Sequence, residues 1–270
     1  MLGGDAGDLY DIGPASPPAA TVLSVEDLAA RNLLRGVSLD VRAHEIVGVF
    51  GLVGSGVETV GRALYGALGP VVTGQISVSG KPYRPRSPRD AKAVGIGFVA
   101  ADRKKEGVIA ELSVRENMVA AFPEPYSRGP FISRSAETSQ SLRWIEQLGI
   151  RTTGPEQTAK TLSGGNQQKV CVSRWLVDDV GLLILEEPTR GVDVGARREI
   201  YRALRRLANR GLAVLVLSSD VEEIAGLSDR SAVIDRGRIV ARFERGAAPA
   251  QLMAAASAEH SQNPLKAESA

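Results

Sequence analysis

The run Ile46-Val47-Gly48-Val49-Phe50-Gly51-Leu52-Val53-Gly54-Ser55-Gly56-Val57-Glu58-Thr59 changes character twice. Its first five residues are apolar throughout and suit a strand buried on both faces. Glycines at 51, 54 and 56 suit a turn, and Val60-Gly61-Arg62-Ala63-Leu64-Tyr65 continues with a helical composition. Strand, glycine-rich turn and helix form the setting of a phosphate-cradling loop, G-x-x-x-x-G-K-[ST]. In that loop the lysine reaches the terminal phosphates and the hydroxyl ligands Mg²⁺. Here the lysine position holds Val57 and the hydroxyl position holds Glu58. The spacing predicts the fold of such a loop without two of its working side chains.

The rest of the chain fits that setting. Gly181–Leu185 and Leu212–Leu217 are further continuous apolar runs, and Ala196–Asn209 between them has helical spacing with a basic outer face. Buried strands alternating with helices predict an α/β fold with a mainly parallel sheet. Thr21–Val25 and Val37–Val41 read as early strands of an antiparallel β part. Residues 103–160 are more polar, hold Pro123, Pro125, Pro130 and Pro155, and include an amphipathic helix at Ser135–Leu148. They are expected to form a largely helical insertion. Residues 1–20, with Pro14, Pro17 and Pro18, have the composition of a linker. The folded unit is expected over 21–255, with a flexible tail over 256–270.

At 270 residues the chain can bury a sizeable core, and 43% hydrophobic with 24% charged residues is an ordinary globular balance. A net charge of +2 gives no argument for nucleic acid as a partner. The single cysteine, Cys171, excludes an internal disulfide framework and fits core packing in a reducing compartment. No apolar run approaches the roughly 18 residues that span a bilayer, and the N-terminus lacks the layout of a signal peptide. Service to a membrane would therefore run through a partner, from the cytoplasmic face.

Two more motifs carry chemistry. Leu162-Ser163-Gly164-Gly165-Asn166-Gln167-Gln168 precedes a helix and offers backbone N–H groups at its start. By itself it is also an ordinary capped helix start. Leu182-Leu183-Ile184-Leu185-Glu186-Glu187-Pro188-Thr189 ends a strand on two adjacent carboxylates, at the sheet edge where α/β folds bind ligands. A solvated strand end is the plainer alternative. Gly191-Val192-Asp193-Val194-Gly195-Ala196 then turns into the next helix.

Together LSGGNQQKV, LLILEEPTRGVDVGA and GLVGSG closely resemble the motifs of ABC-transporter ATP-binding subunits. The Asn-Gln-Gln run, EEPTRGVDVGA and Ala101-Asp102-Arg103-Lys104-Lys105-Glu106-Gly107 narrow the likeness to the ATPases of bacterial monosaccharide importers of the ribose, xylose and galactose type. In that family one polypeptide carries two tandem cassettes. Residues 21–255 resemble the second, degenerate one. The resemblance implies ATP and Mg²⁺ as cofactors, with a competent cassette and a transmembrane permease as partners and, indirectly, a sugar-binding protein. It implies phosphate-loop contacts from Gly51, Gly54, Ser55, Gly56, Val57 and Glu58. Signature-loop contacts would come from Ser163, Gly164, Gly165 and Gln168, with Asp193 beside them. Glu186 falls on the magnesium-holding acid, one methylene longer than the usual Asp, and Glu187 on the residue that orients the attacking water.

The departures imply that little hydrolysis occurs in this chain's own cleft. The sensor glutamine falls on or beside Ala101 and the switch histidine on Ser219; neither His44 nor His260 stands where it could replace the latter. Loss of a charge-assisted lysine contact, worth about 1.5–3 kcal/mol, lowers nucleotide affinity by about one to two orders of magnitude. Glu58 either mimics phosphate at the helix end or binds Mg²⁺ directly. The signature loop is complete, so the expectation is a chain that has lost its own site and kept what it offers a partner. The alternatives are a scaffold with no hydrolysis at either site, or the same machine importing nucleosides or another small metabolite.

Overall fold

The structure is a computed structural model that describes residues 15–128, 131–176 and 180–258. It begins with β1 (Thr21–Ala30), β2 (Leu34–Arg42) and β3 (Ile46–Phe50), followed by α1 (Val57–Leu64), β4 (Val72–Val78) and β5 (Lys81–Pro82). Next come α2 (Pro88–Ala93), β6 (Ile96–Val99), a π-turn at Arg103–Gly107, α3 (Val114–Val119), β7 (Ser127–Arg128), β8 (Phe131–Ile132) and α4 (Arg134–Leu148). The last third holds α5 (Gly164–Ser173), β9 (Leu182–Glu186), α6 (Val194–Asn209), β10 (Ala213–Ser218), α7 (Val221–Leu227), β11 (Arg230–Asp235), β12 (Arg238–Glu244) and α8 (Pro249–Ala258).

The main sheet has the order β12-β11-β3-β10-β9-β6, and all its pairings are parallel except β11 with the edge strand β12. β3 is buried at every residue because both of its faces are covered. Ile46 and Phe50 join one core with Ile200 and Leu204 of α6, while Val47 and Val49 join the other with Val57 and Val60 of α1. Complete burial of each such side chain stabilises the sheet by about 1.5–3 kcal/mol. The second sheet, β2-β1-β4-β5, is antiparallel, as expected of the N-terminal part. β1 runs five residues beyond Val25 because a bulge, with Asp27 at φ 53°, absorbs the polar Glu26-Asp27 pair.

The segment 103–160 differs from the expected helical insertion. It contains α3 and α4, but also the π-turn, a 3₁₀ turn at Glu124–Tyr126 and the short β7–β8 pairing. The face that α4 buries is largely polar: Glu137 and Ser141 lie inside with Leu148. Glu137 pairs with Arg115 of α3, which also reaches Glu156 at 2.7 Å. Cys171 is buried in α5 as expected, and burial pushes its thiol up to about 11. After β12, α8 runs to Ala258 and buries Leu252 and Ala256. The linker composition of residues 1–14 and the tail beyond 258 lie outside the described residues.

Candidate functional site

Parallel register brings the motifs together. Ser218 lies opposite Phe50, Leu217 opposite Glu186, and Leu185 opposite Val99. The turns leaving β3, β6, β9 and β10 therefore open at one edge of the sheet, its C-terminal edge. There an open cleft of about 560 Å³ is lined by Val53, Val57, Glu58, Ala101, Glu186, Glu187 and Ser219, among others.

The loop from Gly51 to Gly56 is tightly fitted. Gly54 and Gly56 have φ of 84° and 98°, which a side chain would resist. Gly56 also faces the Leu33 carbonyl, 2.8 Å from where a Cβ would stand. Ser55 Oγ accepts from the Val57 N–H over 3.3 Å, so a side chain of this chain takes one of the free donors at the start of α1. Val57, in the lysine position, is buried in the core on that side of the sheet. Glu58 is exposed, in the first turn of α1.

Glu186 ends β9 only 2% exposed, with Oε1 lacking a hydrogen-bond partner and Oε2 3.5 Å from Arg62 of α1. Burial outweighs the pull of Arg62 and raises its carboxyl to about 7. Arg62 is chiefly engaged by Glu106, through bonds of 3.0 and 2.9 Å. Glu187, at φ 45°, has its carboxylate taken by the Ser218 hydroxyl at 3.1 Å and the Ser219 N–H at 2.7 Å. Thr189 and Tyr201 both donate or lend a hydroxyl to the buried Glu223, which burial holds above the usual carboxylate range.

These residues do not fit a magnesium–triphosphate. The loop holds Val57 and Glu58 at the lysine and hydroxyl positions, and the carboxylates of Glu58, Glu186, Glu187, Asp220 and Glu223 line the cleft. Two cations line the cleft, Arg190 and Arg197, and Arg197 is already paired with Asp220 at 3.1 Å. Among the described residues no group of three or more His, Cys, Asp or Glu side chains is placed to hold a metal ion.

The signature residues lie in a second, smaller cleft of about 150 Å³, lined by Ser163, Gly165, Asn166, Asp193 and the start of α6. Ser163 is exposed at the N-cap of α5 and its Oγ accepts from the Asn166 amide at 2.8 Å. The helix begins at Gly164, so the glycines belong to its first turn rather than to the loop before it. A Cβ on Gly165 would stand 2.5 Å from that of Ala196 on α6. Asp193 caps α6 by accepting from the Ala196 N–H at 2.9 Å.

A family model described as ABC transporter matches residues 34–190. The chain belongs to the ABC transporter family. The cassette is 44% identical over 223 residues to the ribose import ATP-binding protein RbsA 1 of Rubrobacter xylanophilus, covering 82% of this chain and 44% of that protein. It is 40% identical over 265 residues to RbsA of Pseudomonas putida, covering 97% and 51%. It is 42% identical over 250 residues to the arabinose import ATP-binding protein AraG of Burkholderia pseudomallei, covering 92% and 49%. The cassette thus spans about half the length of the curated relatives it matches. Among solved structures, a nucleotide-free ATP-binding cassette from an ABC transporter superposes with TM-score 0.73 at 20% identity, over 92% of this chain and 98% of that one. The ATP-binding cassette MJ1267 gives TM-score 0.74 at 20% identity, over 87% and 95%.

Two residues of the cassette escape a reading of the sequence. Arg62 and Arg103 make their contacts with partners 44 and 87 positions away, and no local pattern marks them. Gln168, expected among the signature contacts, lies on the inner side of α5. It is buried within α5, with Nε2 lacking a hydrogen-bond partner, and does not line the signature cleft.

Proposed function

We propose that the chain is the ATP-binding part of an ABC importer for a simple sugar, in which its own phosphate-loop cleft contributes little hydrolysis and its signature loop completes the ATP site of a competent cassette. The observation that carries this reading is the contrast between the two clefts. One holds a buried valine in the lysine position, with five carboxylates against two arginines, Arg190 and Arg197, along its lining. The other sets the exposed Ser163 at the start of α5, whose N-terminal N–H groups are a ready seat for the terminal phosphate of a nucleotide held elsewhere. Import of a ribose-, galactose- or arabinose-like sugar is supported by what the relatives are named for. Those relatives are about twice as long as the stretch matched, which leaves room in them for a second cassette. The same reading makes a transmembrane permease the membrane partner and places the chain at the cytoplasmic face. Among the described residues no helix is long and apolar enough to cross a membrane.

The test is ATPase activity and uptake in the assembled transporter at saturating ATP. Gly164→Asp adds a carboxylate at the start of α5, where its Cβ would press on Arg103 Nη2 at 2.6 Å, and is expected to abolish both. Glu187→Gln is expected to cost less than about threefold, since it removes one member of an already incomplete set. Equal damage from the two changes would mean that this cleft hydrolyses ATP itself. No damage from either would favour a scaffold.

A further inference from the structure

The π-turn Arg103–Gly107 grips the protein at both ends. On one side Glu106 takes Arg62 of α1 in a two-pronged ion pair. On the other, Arg103 Nη1 donates to the Arg190 carbonyl at 2.6 Å and Nη2 to the Gly191 carbonyl at 3.0 Å. Those carbonyls belong to the turn between β9 and α6, where Gly191 has φ 66°. Arg103 also lies against the signature loop: a Cβ on Gly164 would stand 2.6 Å from its Nη2. The turn rests on α5 through Gly107, whose Cβ would meet Cys171 Sγ at 2.9 Å.

We infer that Arg103 is a positioning residue for the signature loop, and that the turn 103–107 ties this loop to α1 through Glu106 and Arg62. The inference rests on the reading that the signature loop serves a partner's ATP site, and adds what holds the loop in place. A planar guanidinium that donates to two successive carbonyls fixes their spacing and their plane, which a lysine cannot do. Beside it, the start of α5 packs on the same guanidinium. At the far end Arg62 brings its own positive charge to Glu106 and Glu186.

Two measurements test it. In the full chain, amide hydrogen exchange at Gly164–Gln168 and Gly191–Ala196 is expected to quicken about tenfold or more in Arg103→Ala, the loss that two such bonds imply. Strands β3 and β10 should be unchanged. Arg103→Lys should recover only part of the protection, and Glu106→Gln and Arg62→Ala should each loosen the same amides. In the assembled transporter Arg103→Ala should lower kcat by about tenfold, with KM for ATP within about twofold. Unchanged exchange at both segments in Arg103→Ala would overturn the tie. Quickened exchange with an unchanged kcat, where Gly164→Asp abolishes turnover, would overturn the positioning role. If Gly164→Asp leaves turnover intact, the partner-site reading falls, and the exchange measurement still decides the tie.

Discussion

Glu186 is the residue whose chemistry departs furthest from its sequence expectation. The sequence places an acid at the end of β9 and leaves open whether it is solvated or working. Only the packing of α1 against β9 shows that it is enclosed, with one oxygen near Arg62 and the other without a partner. A carboxyl raised from 4.5 to about 7 keeps its proton in the folded state over a range where the unfolded chain has lost it. Its effect on stability is therefore absent below about pH 4.5, grows unfavourable as pH rises toward 7, and is level above that. Full linkage amounts to about 3 kcal/mol. Glu186→Gln removes the titration, so the variant is expected to gain stability relative to the parent as pH rises from 5 to 8. Urea unfolding of both chains across that range checks it. A difference independent of pH would place the carboxyl in its usual range. The identity of this acid was legible in LLILEEP; its proton was not, because that depends on Arg62, 124 positions earlier.

At the scale of elements, the strands were the most legible part. Runs such as Ile46–Phe50 and Ala213–Leu217 are apolar without interruption, and only a strand covered on both faces calls for that. The segment after Gly107 was less legible, because polar side chains rather than an apolar stripe hold it together. Asn117, on α3, shows how. It is fully buried, with Oδ1 accepting from the Ile109 N–H at 2.8 Å and Arg174 at 3.0 Å, while Nδ2 donates to the carbonyls of Ile109 at 2.9 Å and Ser113 at 3.0 Å. One amide side chain thus joins the loop before α3 to the end of α5. Asn117→Leu keeps the volume and strands these groups, at an expected cost of about 2–4 kcal/mol in denaturant unfolding. Asn117→Asp should cost less at the Arg174 side and more at the carbonyls. A loss below about 0.5 kcal/mol in the leucine variant would show that water replaces the amide.

Across the whole molecule, the two clefts stand at different elements and are linked by one short turn. The sequence contained both motifs, and the departures at Val57, Glu58, Ala101 and Ser219 from which their proposed division of labour is argued were legible in it. The link was not, since ion pairs across 44 positions leave no trace in a local pattern. Cys171 lies under that turn, the chain's only cysteine and 2% exposed. A maleimide can reach it only when the seam between Gly107 and α5 parts. While burial holds the thiol at about 11, only roughly one molecule in ten thousand is thiolate at neutral pH, and the fraction rises once the sulfur is exposed. The native protein is therefore expected to label slowly, at a rate independent of global unfolding in mild urea, and Arg62→Ala or Glu106→Gln should speed the reaction. A single buried sulfur thus makes the seam a clock, readable by mass spectrometry in the unmodified chain, for how often the two halves of the cassette let go of each other.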